Sequence, residues 1–116
     1  MSSRILVIED GVLIAMEISD ALETAGFEVV GLCHTVAQAL DCLAQPDCCD
    51  AVVLDANLRN ESAQPVAGAL MQLRVPFVVV SGYSSQQLPD GLAAAPLLTK
   101  PLRTDDLITQ LRHILA

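Results

Sequence analysis

Apolar runs in this chain end on groups that carry chemistry. RILVI (4–8) is followed by Glu9 and Asp10, AVVL (51–54) by Asp55, FVVV (77–80) by Ser81 and PLLT (96–99) by Lys100. If these runs are strands of one sheet, their polar ends meet along one edge. Three carboxylates gathered there raise one another's pKa unless a cation lies among them. Hard oxygen ligands select Mg2+, which keeps several waters, uses one or two carboxylates and completes its shell on a phosphate. Lys100 is the only lysine of the chain, and its compact ammonium suits a phosphoryl oxygen or a carboxylate. Ser81, followed by Gly82, supplies a hydroxyl to another oxygen. An aspartate flanked by Mg2+, a lysine and a hydroxyl is the setting for an aspartyl phosphate, with Asp55 as nucleophile and acceptor. The plainer alternative for Lys100 is a salt bridge to Asp10 or Asp55.

The elements that must position these groups follow from pattern. Three runs rich in β-branched residues (4–8, 51–54 and 77–80) lack polar alternation, as parallel strands covered on both faces do. FEVVGLC (27–33) and PLLT (96–99) are weaker strand candidates. Ala15, Ile18, Leu22 and Ala25 recur at helical spacing up to Gly26, which predicts a helix over 12–25. Thr35 with Gln38 fits a capping box, and Val36, Leu40 and Leu43 form the stripe behind it, ending before Pro46. Val66, Leu70 and Leu73 give a third helix from near Pro65. Thr104, Asp105 and Asp106 open a last one carrying Leu107, Leu111 and Ile114, with its acids at the positive end. Residues 82–96 hold two Gly and two Pro with little periodicity, so a helix there is expected to be short or mobile. Alternating strands and helices predict an α/β fold: a doubly wound, five-stranded parallel sheet with about five helices and right-handed crossovers. Such sheets bind ligands at the carboxyl ends of their strands, near a topological switch point.

Composition narrows the function. At 116 residues the chain is expected to be one domain, 1–116, with 53% hydrophobic residues but no apolar run of the roughly 18 residues a spanning helix needs. The start, MSSRILVIED, resembles neither a signal peptide nor a transit sequence, so a cytoplasmic location is expected and no membrane partner. Net charge is −8 with six basic residues scattered singly, which lacks the electrostatic footprint of direct nucleic-acid binding. Aromatic residues at 3% leave little to stack on bases or a flavin. Cys33, Cys42, Cys48 and Cys49 include no CxxC pair and no nearby His at zinc-ligand spacing, and read as reduced thiols packed as small hydrophobes.

The segments VIED, VVLDANL, VVVSGY and LLTKP, in this order and over essentially the whole chain, resemble the receiver domain of response regulators, the CheY-like domain of two-component signalling. The resemblance implies that Asp55 accepts phosphate from a histidine kinase or histidine phosphotransfer protein. It further implies that Asp10, Asp55 and the Asn57 backbone carbonyl bind Mg2+, that Glu9 assists directly or through a water, and that Ser81 and Lys100 contact the phosphoryl group. It implies a Lys100–Pro101 peptide that is often cis, a phosphodonor docked near Ile14 and Leu102, and an output made by contact with a further protein or by onward phosphotransfer. By this reading the chain is a signalling module rather than an enzyme.

Two departures stand out. Receivers usually carry an aromatic switch residue three positions before the lysine, where this chain has Leu97, and most have a full helix in the region of 82–96. With the wording of NESAQPVAGAL and PFVVVSGY, these features are similar to the atypical single-domain receivers called the FAT GUY group, although Val79 and Ser81 stand where that group has Phe and Thr. That likeness implies a donor kinase of the HWE or a related class, and either a switching role for Tyr83 or a plain surface tyrosine. Rival readings fit less well. A haloacid-dehalogenase-like phosphatase needs a second acid two residues after its nucleophile, where this chain has Asn57. A flavodoxin-like carrier needs aromatics and a phosphate loop. A receiver-like interaction module that is never phosphorylated has no need of the complete acceptor set.

Overall fold

The computed structural model describes residues 2–59, 61–82 and 95–116. Strand β1 (Arg4–Ile8) leads into helix α1 (Val12–Thr24), then β2 (Glu28–Cys33), α2 (Val36–Leu43) and β3 (Ala51–Asp55). A two-residue pair, β4 (Asn57–Leu58) and β5 (Glu61–Ser62), precedes α3 (Gln64–Leu73), β6 (Phe77–Ser81), β7 (Leu97–Thr99) and α4 (Thr104–Leu115). The main sheet runs β2-β1-β3-β6-β7 with every pairing parallel, as the pattern predicts. Strand order reverses between β1 and β3, so the chain crosses over on both sides of that pair. The expected helix in 82–96, and Tyr83 with it, lies outside the described residues apart from Gly82, Ala95 and Pro96.

The strands without alternation are those buried on both faces. Every residue of β3 and of β6 is buried, and their side chains feed two cores. Leu6, Ile8, Val52, Leu54 and Val79 pack with α2 and α3 on one face. Ile5, Val7, Val53, Val78 and Val80 pack with Ile18, Leu22, Leu107 and Leu111 of α1 and α4 on the other. Edge strand β2 instead alternates, and its register with β1 slips by one residue between Ile5 and Leu6. Gly31 lies opposite Leu6 there, where a Cβ would come within 3.2 Å of a Leu6 methyl.

The helices follow the predicted signals with two corrections, at Gln38 and Leu73. Helix α1 stops before Gly26, whose φ of +98° favours glycine. Thr35 caps α2 as expected, its hydroxyl accepting from Gln38 N at 3.1 Å, but the Gln38 side chain reaches past the cap to accept from His34 N at 2.8 Å. Thr104 opens α4 as expected, with Asp105 and Asp106 in its favourable first turn, and Arg103 stands before it without a side-chain cap bond. In α3 the buried stripe is Val66, Ala67 and Leu70, while Leu73 is 52% exposed.

At the amino end of the sheet Arg4 ties β1 to the start of β3. Arg4 N donates to Asp50 Oδ2 at 2.7 Å, Asp50 N donates back to the Arg4 carbonyl at 2.7 Å, and the guanidinium reaches Asp47 and Asp50. We expect Leu70→Ala to lower unfolding free energy by about 2–5 kcal/mol through the cavity it leaves. Leu73→Ala should stay within about 0.5 kcal/mol, as exposed positions do. Urea unfolding of the two variants checks the assignment, and equal losses would contradict it.

Candidate functional site

Parallel pairing sets Ile8 beside Leu54 and Asp55 beside Val80. The residues that follow β1 therefore emerge next to the end of β3. Oxygens of Glu9, Asp10 and Asp55 all lie within 4.8 Å of one another. Glu9 and Asp55 are 1% and 4% exposed, and Asp10 is half-buried at the rim. Lys100 enters from the end of β7, its backbone N–H held by the Ser81 carbonyl at 2.8 Å. Its ammonium donates to Asp55 Oδ2 at 3.2 Å and pairs with Glu9 Oε1 at the same distance. The salt bridge weighed from sequence thus reaches Asp55 as anticipated, with Glu9 in place of Asp10. Ser81, 2% exposed, ends β6 beside Thr99 of β7. The Lys100–Pro101 peptide is cis.

Backbone donors orient the acids. Asn57 N donates to Asp55 Oδ1 at 3.1 Å, Gly11 N to Glu9 Oε2 at 2.9 Å and Arg59 N to Asp10 Oδ2 at 3.0 Å. Arg59 takes a left-handed φ of 50° as it does so. Among the described residues, two buried oxygens, Glu9 Oε1 and Asn57 Oδ1, have no hydrogen bond, the Lys100 contact to Oε1 being an ion pair without hydrogen-bond geometry. Glu9 itself is anchored from β2: its N–H donates to the Cys33 carbonyl, and its own carbonyl lies 2.9 Å from His34 Nδ1.

The electrostatics match a site short of positive charge. Burial pushes the Glu9 carboxyl up to about 7, and the neighbouring Asp55 and Asp10 carboxyls raise it further. Asp10 moves below the ordinary carboxylate range, because the neighbouring Glu9 carboxyl and, after a burial cost, Arg59 N and Lys100 favour its charge. Burial alone would lower the Lys100 ammonium, but the charges of Asp55 and Glu9 outweigh it and hold the pKa above its ordinary value. A carboxyl kept half-protonated near neutrality beside two others, with an unbonded buried oxygen, is a donor set that suits a hard divalent cation.

Among the described residues, Glu9, Asp10, Asp55 and Lys100, all named from sequence, bring their side chains together here. Sequence reasoning missed the supports: Arg59 and Gly11 act through backbone N–H groups, which carry no residue-type signal, and strands of two residues are too short to leave a pattern. Leu97, at the position where receivers carry an aromatic residue, is half-buried against the core on the α2 and α3 face.

The model of the response regulator receiver domain matches residues 5–112. The chain belongs to that family. Its receiver fold is similar to the solution structure of SdrG from Sphingomonas melonis Fr1, at 37% identity and a TM-score of 0.84, covering 99% of this chain and 98% of that one. It is also similar to the receiver (REC) domain of the response regulator PhyR from Erythrobacter litoralis, at 28% identity and a TM-score of 0.83, covering 98% and 90% of the two chains. Among curated proteins, the transcriptional regulatory protein PdtaR of Mycobacterium tuberculosis is 29% identical over 109 residues, 90% of this receiver. The chain spans about half the length of that relative, 53%.

The Glu9 environment fixes a pH dependence. An unfolded chain releases this proton near 4.5, whereas the folded receiver holds it to about 7. The folded state therefore binds more protons across that window, so the contribution is complete below 4.5 and is lost as pH rises through 7. With chelator present, the melting temperature should fall between pH 5.5 and 8, and Glu9→Gln should flatten that slope. A wild-type melting temperature that rises over this range would contradict the assignment.

Proposed function

We propose that this receiver, taken as one domain over residues 1–116, is a phosphoacceptor in a two-component phosphorelay. Asp55 receives the phosphoryl group from a histidine kinase or histidine phosphotransfer protein. One observation carries this reading: Asp55 is buried at the end of β3 with a lysine ammonium at 3.2 Å and two further acids converging on it. Glu9, Asp10, Asp55 and the Asn57 carbonyl would hold Mg2+, whose charge, when bound, offsets that of the acids and of the incoming phosphate.

The chain's own groups then divide the work. Asn57 N–H fixes Asp55 Oδ1 and with it the plane of the carboxylate. A carboxylate oxygen attacks phosphorus, the bond from phosphorus to the donor imidazole breaks, and the imidazole leaves with its electron pair. Lys100, already beside Asp55 Oδ2, follows the charge onto the phosphoryl oxygens, and Ser81 supplies a hydroxyl to another of them. The donor approaches across Ile14 and Leu102, which with Ile18 and Pro101 line a cavity of about 300 Å³ beside Lys100. Phosphate adds negative charge at the strand ends, and the state is read by protein contact or passed on as phosphate, without turnover of a substrate by the receiver itself.

Intact-mass analysis with Mg2+ and acetyl phosphate tests the proposal. We expect one phosphate on the wild type and none on Asp55→Asn. Asp10→Asn should lower Mg2+ affinity by about tenfold or more. The absence of an adduct, together with no Mg2+-dependent beryllofluoride binding, would replace this reading with that of an unphosphorylated interaction module.

A further inference from the structure

Four cysteines gather where the sheet meets α2, and two of them face each other across elements. Cys33, the last residue of β2, and Cys42, in the final turn of α2, bring their sulfurs to 3.3 Å. Cys33 is buried at 2% exposure, whereas Cys42 is half-buried and off the stripe of Val36, Ala39 and Leu43. Because β2 is an edge strand, no strand of the main sheet lies beyond this flank to cover it.

We propose that Cys33 and Cys42 form an oxidisable pair that a hydroperoxide converts to a disulfide, stapling α2 to β2. The inference stands on the thiols and does not depend on the phosphoacceptor reading. Cys42 reacts first, since it is the partner that solvent reaches. Its sulfur attacks the peroxide, the O–O bond breaks, an alcohol or water leaves, and Cys42 becomes a sulfenic acid. The Cys33 sulfur then attacks the Cys42 sulfur, and the hydroxyl leaves with the Cys33 proton as water. Two electrons pass from the thiols to the peroxide. The buried Cys33 thiol, pushed up to about 12 by burial and by its contact with Cys42, resists direct oxidation and stays available for the second step.

Geometry favours this pair over the other one. Closing a bond of about 2.05 Å needs the sulfurs to approach by little more than an ångström, between residues whose elements already pack together. Cys48 and Cys49 also stand 3.3 Å apart, but they are neighbours in sequence. A bond between them closes a small ring around a peptide that planarity holds trans.

The experiment treats the reduced receiver with hydrogen peroxide, blocks remaining thiols, and maps peptides without reductant. We expect a mass loss of about 2 Da before blocking, carried by one cross-link between the Cys33 and Cys42 peptides. In Cys33→Ala, Cys42 should instead accumulate as a sulfenic acid trapped by dimedone, and in Cys42→Ser no cross-link to Cys33 should form. A cross-link confined to Cys48 and Cys49, or a Cys42 that remains fully alkylatable after peroxide, would overturn the proposal. Circular dichroism of both variants confirms that they fold, and a variant that does not is replaced by Cys33→Ser or Cys42→Ala.

Discussion

Repulsion among three carboxylates held within 4.8 Å, two of them buried, is the constraint to which the carboxyl edge of the sheet is built. A sheet folded for stability alone would place apolar or hydrogen-bonded neutral groups there, because buried like charges lower the stability of the compact state. One lysine, brought in from the last strand on the far side of β6, offsets part of that repulsion through Glu9 and Asp55. Burial, with the other two acids adding to it, leaves Glu9 holding a proton to about pH 7. The three acids thus face a single lysine, which leaves the site short of positive charge.

The same constraint accounts for the backbone around the site. Each acid takes one N–H from a neighbouring loop, so Gly11, Asn57 and Arg59 are placed by their amides. Arg59 accepts a left-handed backbone to do so, and the β4–β5 pair supplies the turn that brings it opposite Asp10. The paired strands are two residues long; they bury Leu58 in the core on the α2 and α3 face and aim the Arg59 amide at the acidic cluster.

How far the sequence was legible follows from what kind of force placed each part. Strands β1, β3 and β6 were readable because burial on both faces demands unbroken β-branched runs, and the acids behind them were readable because carboxylates interrupt such runs abruptly. Thr35 announced the start of α2 through its side chain. Thr104, Asp105 and Asp106 marked the start of the last helix, where the acids favour the first turn without a side-chain cap. Leu73 matched the helical period yet faces solvent, since α3 rests on the sheet through Val66, Ala67 and Leu70. The amides on the acids and the meeting of Cys33 with Cys42 were not legible. Both depend on distances set by tertiary packing and leave no mark on residue type or spacing.

The clamp of Arg4 on Asp50 acts as the zero mark of a ruler. From it β1 and β3 run side by side with one-to-one pairing, Ile5 with Ala51 through Ile8 with Leu54, so that Glu9 arrives level with Asp55. The height of the acids is therefore counted out in residues along two strands of matched length. Lengthening either strand by one residue would turn its terminal acid to the opposite face of the sheet and raise it by a step of about 3.3 Å. The spans from Arg4 to Glu9 and from Asp50 to Asp55 therefore cannot gain or lose a residue without displacing an acid from the cluster.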